Sequence, residues 1–422
     1  MGGGVNGCYI ILQPFTFTSC AVCQFYKEII YQGKDWVENQ RLCFYNTLVI
    51  FTERQIIDMK KILLCCRMPH NNSYVGGVVS ILQSYLANKM IFEKEGYQIE
   101  LFDYQPDKKW DTYSSKLRNI AYIFQQRKAL SSRLRKEADV IINIHTSREL
   151  LFLKDILLAK MANKKFNCPV VITIHVGDID TVFNRIKPLQ KYMISCINSY
   201  VDKVIFLSKK IEKQFVDVGV DKEKCEVLYN FHDMASVSED HSLKKTAKIH
   251  LIYVGAIHRE KGILELLTAL NNLEDIDFHL DLCGKLTDKS IEDKVKDLCE
   301  RLGEKVTLCG YVSGRRKTEL FDRADVLILP SYHEGMPLVI LEGLSRGCAL
   351  ISTKVGATPE VLNESNVMWV EVKNHHDIET AIRRLYESPV ILEKMQVANR
   401  DLSSEYTLES NISMLCKIYS EI

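Results

Sequence analysis

The sequence predicts an α/β protein made of two doubly wound halves. Three observations carry this. The chain has 422 residues, too many for one ordinary core and suited to two domains of normal size. From Lys61 onward, short apolar runs of strand length alternate with segments of helical period. A polar stretch at residues 234–248 has no apolar periodicity and divides the series in two, as an interdomain linker does.

In the first half, strands are expected at residues 62–66, 97–104, 140–144, 170–174, 203–207 and 226–228. Helical patterns fill residues 78–94, 114–137 and 188–200, and residues 155–162 sit in another helix. The second half begins with a strand at 249–254. Strands follow at 277–283, 306–310, 326–329, 349–352 and 367–370. Helices are expected at 262–271, 290–302, 317–323, 337–344, 376–387 and 391–400, with a last one at 407–419. The expected units are a Rossmann-like domain at 59–235, a second at 248–402, and a C-terminal helix at 403–422 that packs back on the first. Ligands of such sheets bind beyond the carboxyl ends of the strands, so two facing sheets make a cleft.

Residues 1–58 carry no periodic element that joins the alternating series. Met59-Lys60-Lys61 ahead of an apolar run reads as a fresh start. The segment before it is therefore expected to be a loosely ordered extension, of the kind an upstream start codon produces. No stretch is long and apolar enough to span a bilayer.

The formal net charge of +1 hides an asymmetry. Residues 59–235 carry a net +9 and residues 236–422 a net −7. A basic half suits an anionic counterpart, such as a membrane surface or a lipid diphosphate, and equally a solvated face. The basic segment 114–137 and the apolar face Leu189, Tyr192, Met193 and Cys196 are open to either a membrane contact or core packing. The 14 cysteines are scattered, which suits a reduced protein that uses Cys as a small apolar residue. Cys20-x-x-Cys23 lacks the second pair a zinc site needs.

Four local patterns bear on chemistry. The run His333-Glu334-Gly335-Met336-Pro337-Leu338-Val339-Ile340-Leu341-Glu342 follows a strand and enters a helix. Strand, glycine-bearing turn and helix aim backbone N–H groups at an anion, with one carboxylate in the loop and one inside the helix. Tyr253-Val254-Gly255-Ala256-Ile257-His258-Arg259-Glu260-Lys261-Gly262 has the same layout and places Lys261 near a helix start. Gly76-Gly77 after the first strand lets backbone approach a phosphate. His175 ends a strand, where an imidazole can bond a hydroxyl or move a proton; His145 stands similarly. The tripeptides Asp178-Ile179-Asp180 and Asp275-Ile276-Asp277 lack the context of a metal site.

The first of these runs resembles the Glu-x7-Glu signature of retaining glycosyltransferases of family 4, which have the GT-B fold: two Rossmann-like doubly wound domains facing a central cleft. The second resembles that family's Gly-Arg-Leu…Glu-Lys-Gly segment, with Ala256 where the family has Arg. Residues 201–208, 227–233 and 355–360 resemble further family stretches. The resemblance runs from Met59 to Ile422 and is densest at 249–362. It implies transfer of a sugar from a nucleotide sugar, UDP- or GDP-linked, to a glycan or polyprenyl-diphosphate-linked acceptor. Retention, no cofactor, no bound metal and no nucleic-acid partner go with it, as does a cytoplasmic place, peripheral on the membrane's inner face.

Residue by residue, the resemblance makes Glu334 and His175 the catalytic groups near the sugar. Glu342 would take the ribose hydroxyls. Lys261 and the backbone at Gly335, Met336 and Leu338 would meet the diphosphate, with Pro337 contributing no N–H. Gly77 would face the donor across the cleft, and Arg259 is the nearby cation that would stand in for Ala256. Two rivals share the fold: a sugar-nucleotide 2-epimerase, and an inactive nucleotide-binding subunit, which Ala256 favours.

Overall fold

The computed structural model describes residues 59–68, 76–103, 115–137, 139–147, 149–234 and 248–422. The extension at 1–58, the Cys20–Cys23 pair and residues 235–247 of the linker lie outside them.

Among the described residues, twelve strands form two all-parallel six-stranded sheets. The first holds β1 (Lys60–Cys66), β2 (Tyr97–Asp103), β3 (Val140–Thr146), β4 (Val170–Ile174), β5 (Lys203–Phe206) and β6 (Cys225–Val227), in the order β2-β1-β3-β4-β5-β6. The second holds β7 (Ile249–Val254), β8 (Phe278–Cys283), β9 (Val306–Gly310), β10 (Val326–Leu329), β11 (Ala349–Thr353) and β12 (Val367–Val370), in the order β12-β11-β10-β7-β8-β9.

Parallel strands are covered on both faces, so their sequences run apolar rather than alternating. All seven residues of β3 and all five of β4 are buried. Successive residues feed opposite cores. Leu63, Ile142 and Ile172 join one cluster, while Ile62, Ile141 and Val171 join the other.

The C-terminal helix Leu408–Ser420 packs on the first sheet through Ile412, Leu415 and Tyr419. Two buried hydrogen bonds fix it there. Asn143 Nδ2 donates to the Tyr419 hydroxyl at 2.6 Å, and the Tyr85 hydroxyl donates to Asn411 Oδ1 at 2.5 Å.

One expected helix is two. Residues 78–94 divide at Asn88 into Gly77–Ala87 and Lys89–Lys94. Asn88 leaves the helical region at φ −115°, ψ 36°, and its side-chain amide donates to Ser84 O at 2.9 Å. An Asn that bonds nearby backbone competes with the helix it sits in. All ten described cysteines are buried. Among the described residues, no helix is long and apolar enough to cross a membrane.

Candidate functional site

Strand order places the site. In the second sheet, chain progress reverses between β7 and β10, and crevices in doubly wound sheets open where neighbouring connections diverge to opposite faces. The loops leaving β7 and β10 are the two that carry the chemistry-bearing runs.

These loops are fastened together. Gly262 has φ +67°, and a Cβ there would stand 2.1 Å from Pro330 O, so only glycine lets them approach. Tyr332 N donates to Glu260 O at 2.8 Å, and the Tyr332 hydroxyl donates to Glu265 Oε1 at 2.8 Å. The result is a side-chain contact 73 residues apart in sequence: Lys261 Nζ to Glu334 Oε1 at 2.6 Å. Glu334 is only 11% exposed on its side chain, so water screens the pair weakly.

Helix Leu338–Ser345 starts from Pro337 as its N-cap. Pro337 has no N–H to lose there. The helix buries Ile340, Leu341 and Leu344 and carries Glu342 into the crevice. Lys317, on helix Gly314–Arg323, reaches across to Glu342 Oε1 at 2.5 Å.

The first half supplies the opposite wall. Gly77, Ser80 and Ser84 of helix Gly77–Ala87 line a cleft of about 930 Å³ together with Ala256, Lys261, Glu334, Met336, Pro337, Leu338 and Glu342. A Cβ on Gly77 would lie 3.9 Å from the Leu338 side chain. Below, the loop after β4 presses on the Glu334 backbone. A Cβ on Gly177 would stand 1.7 Å from Glu334 O, and Ala357 N donates to Gly335 O at 2.7 Å. Glu334 is thus held by both halves at once.

Three of the residues expected at the site lie off the cleft lining: Arg259, Gly335 and His175. Arg259 is exposed in a short 3-10 turn and does not line the cleft. His175 also lies off the lining. Its Nε2 shares a 2.9 Å hydrogen bond with Nδ1 of His145. The stacked pair borders an interior void of about 10 Å³ with Thr173, Asn230 and Asn411. Burial disfavours imidazolium there: His175 is lowered to about 4, and His145 lies well below the usual histidine value through burial and then the neighbouring His175. Both rings are neutral at pH 7.

The Asp-x-Asp pairs have structural partners. Asp178 caps a helix by accepting from Asp180 N at 2.7 Å, and Asp275 takes a two-pronged bond from Arg383. The described group with metal-ligand spacing, His375, His376 and Glu379, sits outside the cleft lining. The suggested apolar face divides: Met193 and Cys196 are core, while Leu189 and Tyr192 are 40% and 45% exposed.

Sequence reasoning missed Lys285, Arg315, Lys317 and Arg346, all of which line the cleft. The signal was present in Gly314-Arg315-Arg316-Lys317, a basic run just beyond the carboxyl end of β9, where the crevice rule applies. The described lining holds five cations against three carboxylates, Asp233, Glu334 and Glu342.

Two facing doubly wound halves with a polar crevice between them are the GT-B architecture of glycosyltransferases. Residues 92–236 match the family described as Glycosyltransferase Family 4, and residues 237–401 match Glycosyl transferases group 1. An uncharacterised glycosyltransferase of Methanocaldococcus jannaschii is 25% identical over 309 residues, 73% of this chain and 82% of that protein. A Bacillus subtilis protein provisionally named a teichuronic acid biosynthesis glycosyltransferase is 25% identical over 238 residues, 54% of this chain and 57% of its own length. The crystal structure of Anabaena HepE in complex with UDP-glucose superposes with TM-score 0.63 at 17% identity, over 86% of this chain and 100% of that one. The chain belongs to the group 1 glycosyltransferases of the family 4 type.

Proposed function

We propose that the protein moves a hexosyl group from a UDP- or GDP-sugar to a glycan or polyprenyl-diphosphate-linked acceptor, with retention and without a bound metal, in surface polysaccharide synthesis. The observation that carries the reading is the Lys261–Glu334 pair at the switch point of the second sheet, with Glu342 one helix start away. The donor diphosphate would draw Lys261 from Glu334 and meet the free N–H groups at the start of helix Leu338–Ser345. Glu342 would take the ribose hydroxyls, and Glu334 would face the transferred sugar.

The leaving group develops charge on the diphosphate, so preorganised donors there dominate the rate. Side-chain cations in the lining supply the counter-charge, which supports metal independence. Retention rests on the family resemblance. The surface-polysaccharide setting is supported by the name of the Bacillus subtilis relative, and the UDP-sugar by the HepE complex. His175, proposed near the sugar by the resemblance, is hydrogen-bonded to His145 at 2.9 Å.

A cytoplasmic, membrane-peripheral setting is part of the same reading. Phe124, Leu150, Leu151, Leu189 and Tyr192 are large apolar side chains at least 40% exposed on the first half, and Arg127 and Lys128 are exposed on the helix that carries Phe124. Co-sedimentation with anionic vesicles that is unchanged by Leu150→Ser/Leu151→Ser would remove that element.

The deciding assay is nucleotide release from UDP-, GDP- and ADP-sugars without added metal. The expected result is slow hydrolysis of one donor, insensitive to chelator and lost in Glu334→Ala and Lys261→Ala. Nucleotide binding without release from any donor, with or without acceptor glycans and lipid diphosphates, would favour the inactive-subunit reading that Ala256 suggests.

A further inference from the structure

We infer that Lys317 supplies the donor-binding positive charge that this chain lacks at position 256, and that its ion pair with Glu342 is the empty-site resting place of that charge. This rests on the donor site proposed above and adds a residue to it.

Position 256 is an alanine, lining the cleft beside Gly255 and Lys261. Its carbonyl is already engaged by the Tyr253 hydroxyl at 2.7 Å, and its side chain offers no charge. A diphosphate placed there would meet Lys261 alone from that loop. Candidates for the missing cation can be compared directly. Arg259 is exposed and off the lining. Arg315 is 92% exposed and paired with Glu319 at 2.7 Å, one helical turn away. Arg346 is buried against Asp322 at 3.3 Å. Lys285 is exposed, with its ammonium over the Tyr311 ring at 5.6 Å.

Lys317 differs from each of these. Its side chain is 24% exposed, and its ammonium meets a carboxylate that itself faces the cleft and is 11% exposed. A carboxylate so shielded would repel an incoming diphosphate, because like charges in a poorly solvated crevice are weakly screened. Lys317 cancels that repulsion. When ribose hydroxyls take the Glu342 oxygens, the flexible four-carbon stem frees a compact ammonium to meet phosphate oxygen. The Lys261–Glu334 pair repeats the arrangement in the same crevice, so each carboxylate carries a lysine that the donor can claim.

The test is calorimetry of UDP, GDP and uridine with the full chain, alongside donor turnover. Lys317→Met is expected to weaken nucleoside diphosphate binding at least tenfold while changing uridine binding less than threefold. Lys317→Arg should retain most of the affinity. Adding Ala256→Arg to Lys317→Met should restore diphosphate affinity to within about threefold of the parent. A lysine that merely braces Glu342 would not be replaceable from position 256, so failure of that rescue overturns the inference. Equal losses for UDP and uridine overturn it too. If the parent binds neither UDP nor GDP and Glu342→Gln changes nothing, the donor site itself is wrong and this inference falls with it. Parent binding with an indifferent Lys317→Met refutes the inference alone.

Discussion

Acid should loosen the protein through the His145–His175 pair. Both imidazoles are held neutral by burial, with His175 lowered to about 4 against an unfolded value of about 6.5. Between these values the unfolded chain binds the proton and the folded one does not, so stability rises with pH across that window and is lost as pH falls. For His175 alone the loss reaches about 2 kcal/mol at pH 5 and about 3 kcal/mol when both states are protonated. His145 adds in the same direction. Carboxylates also respond to acid, so the informative quantity is a difference. Thermal melts of the wild type and of His145→Gln/His175→Gln should be compared from pH 7.5 to pH 4.5. The gap between their melting temperatures should narrow steadily below pH 6.5, because the variant has no such protons to take up. A gap that stays constant to pH 4.5 would refute the argument and mean that the folded protein accepts the proton there.

Three further perturbations have worked outcomes. Gly177→Ala would place a Cβ 1.7 Å from Glu334 O, forcing the halves apart at the proposed reacting carboxylate; turnover should fall at least tenfold with circular dichroism unchanged, and an active variant would show that this contact is not required. Glu360→Ala removes a carboxylate that accepts from Lys209 N, Lys210 N and the Tyr229 hydroxyl at 2.7, 2.9 and 2.9 Å; losing this tie between the halves should cost about 1–3 kcal/mol in denaturant unfolding, and no change would mean that water replaces it. Tyr419→Phe strands the fully buried amide of Asn143 and should also cost about 1–3 kcal/mol, read as a lower denaturation midpoint.

The fold was legible because parallel strands are buried on both faces and announce themselves as apolar runs. Residues 140–144 and 170–174 needed nothing else. Helix ends were less legible. Asn88 breaks a helix by a side-chain bond to Ser84 O, and the same residue type in the same pattern can also remain helical. The site was legible in its loops and not in its pairings. Lys261 and Glu334 stood out from their glycine-bearing turns, yet no local rule says that they touch across 73 residues. Lys317 stayed hidden because the amphipathic period of its helix reads as a solvated face; only the position of β9 at the edge of the sheet turns that face toward the crevice. His175 shows the converse. A histidine at a strand end is set correctly by sequence, but the direction of its ring depends on His145, one strand over.

Strand order explains why the charged groups fall where they do. The loops after β7 and β10 flank the switch point, and the helix after β9 adds Lys317 to the same crevice. The loop after β7 contributes Lys261 and the loop after β10 contributes Glu334 and Glu342. Left unpaired in a crevice with 11% exposure, either carboxylate would lose solvation without compensation. A lysine beside each removes that cost while the site is empty. It also sets a condition on any ligand that enters: it must offer negative charge to the lysines and hydrogen-bond donors to the carboxylates in the same event. A nucleoside diphosphate sugar offers both, with phosphates for the first and ribose and sugar hydroxyls for the second. A free nucleoside offers hydroxyls to the carboxylates but no phosphate to either lysine, which is why the ratio of diphosphate to nucleoside affinity, rather than either affinity alone, reports on this cleft.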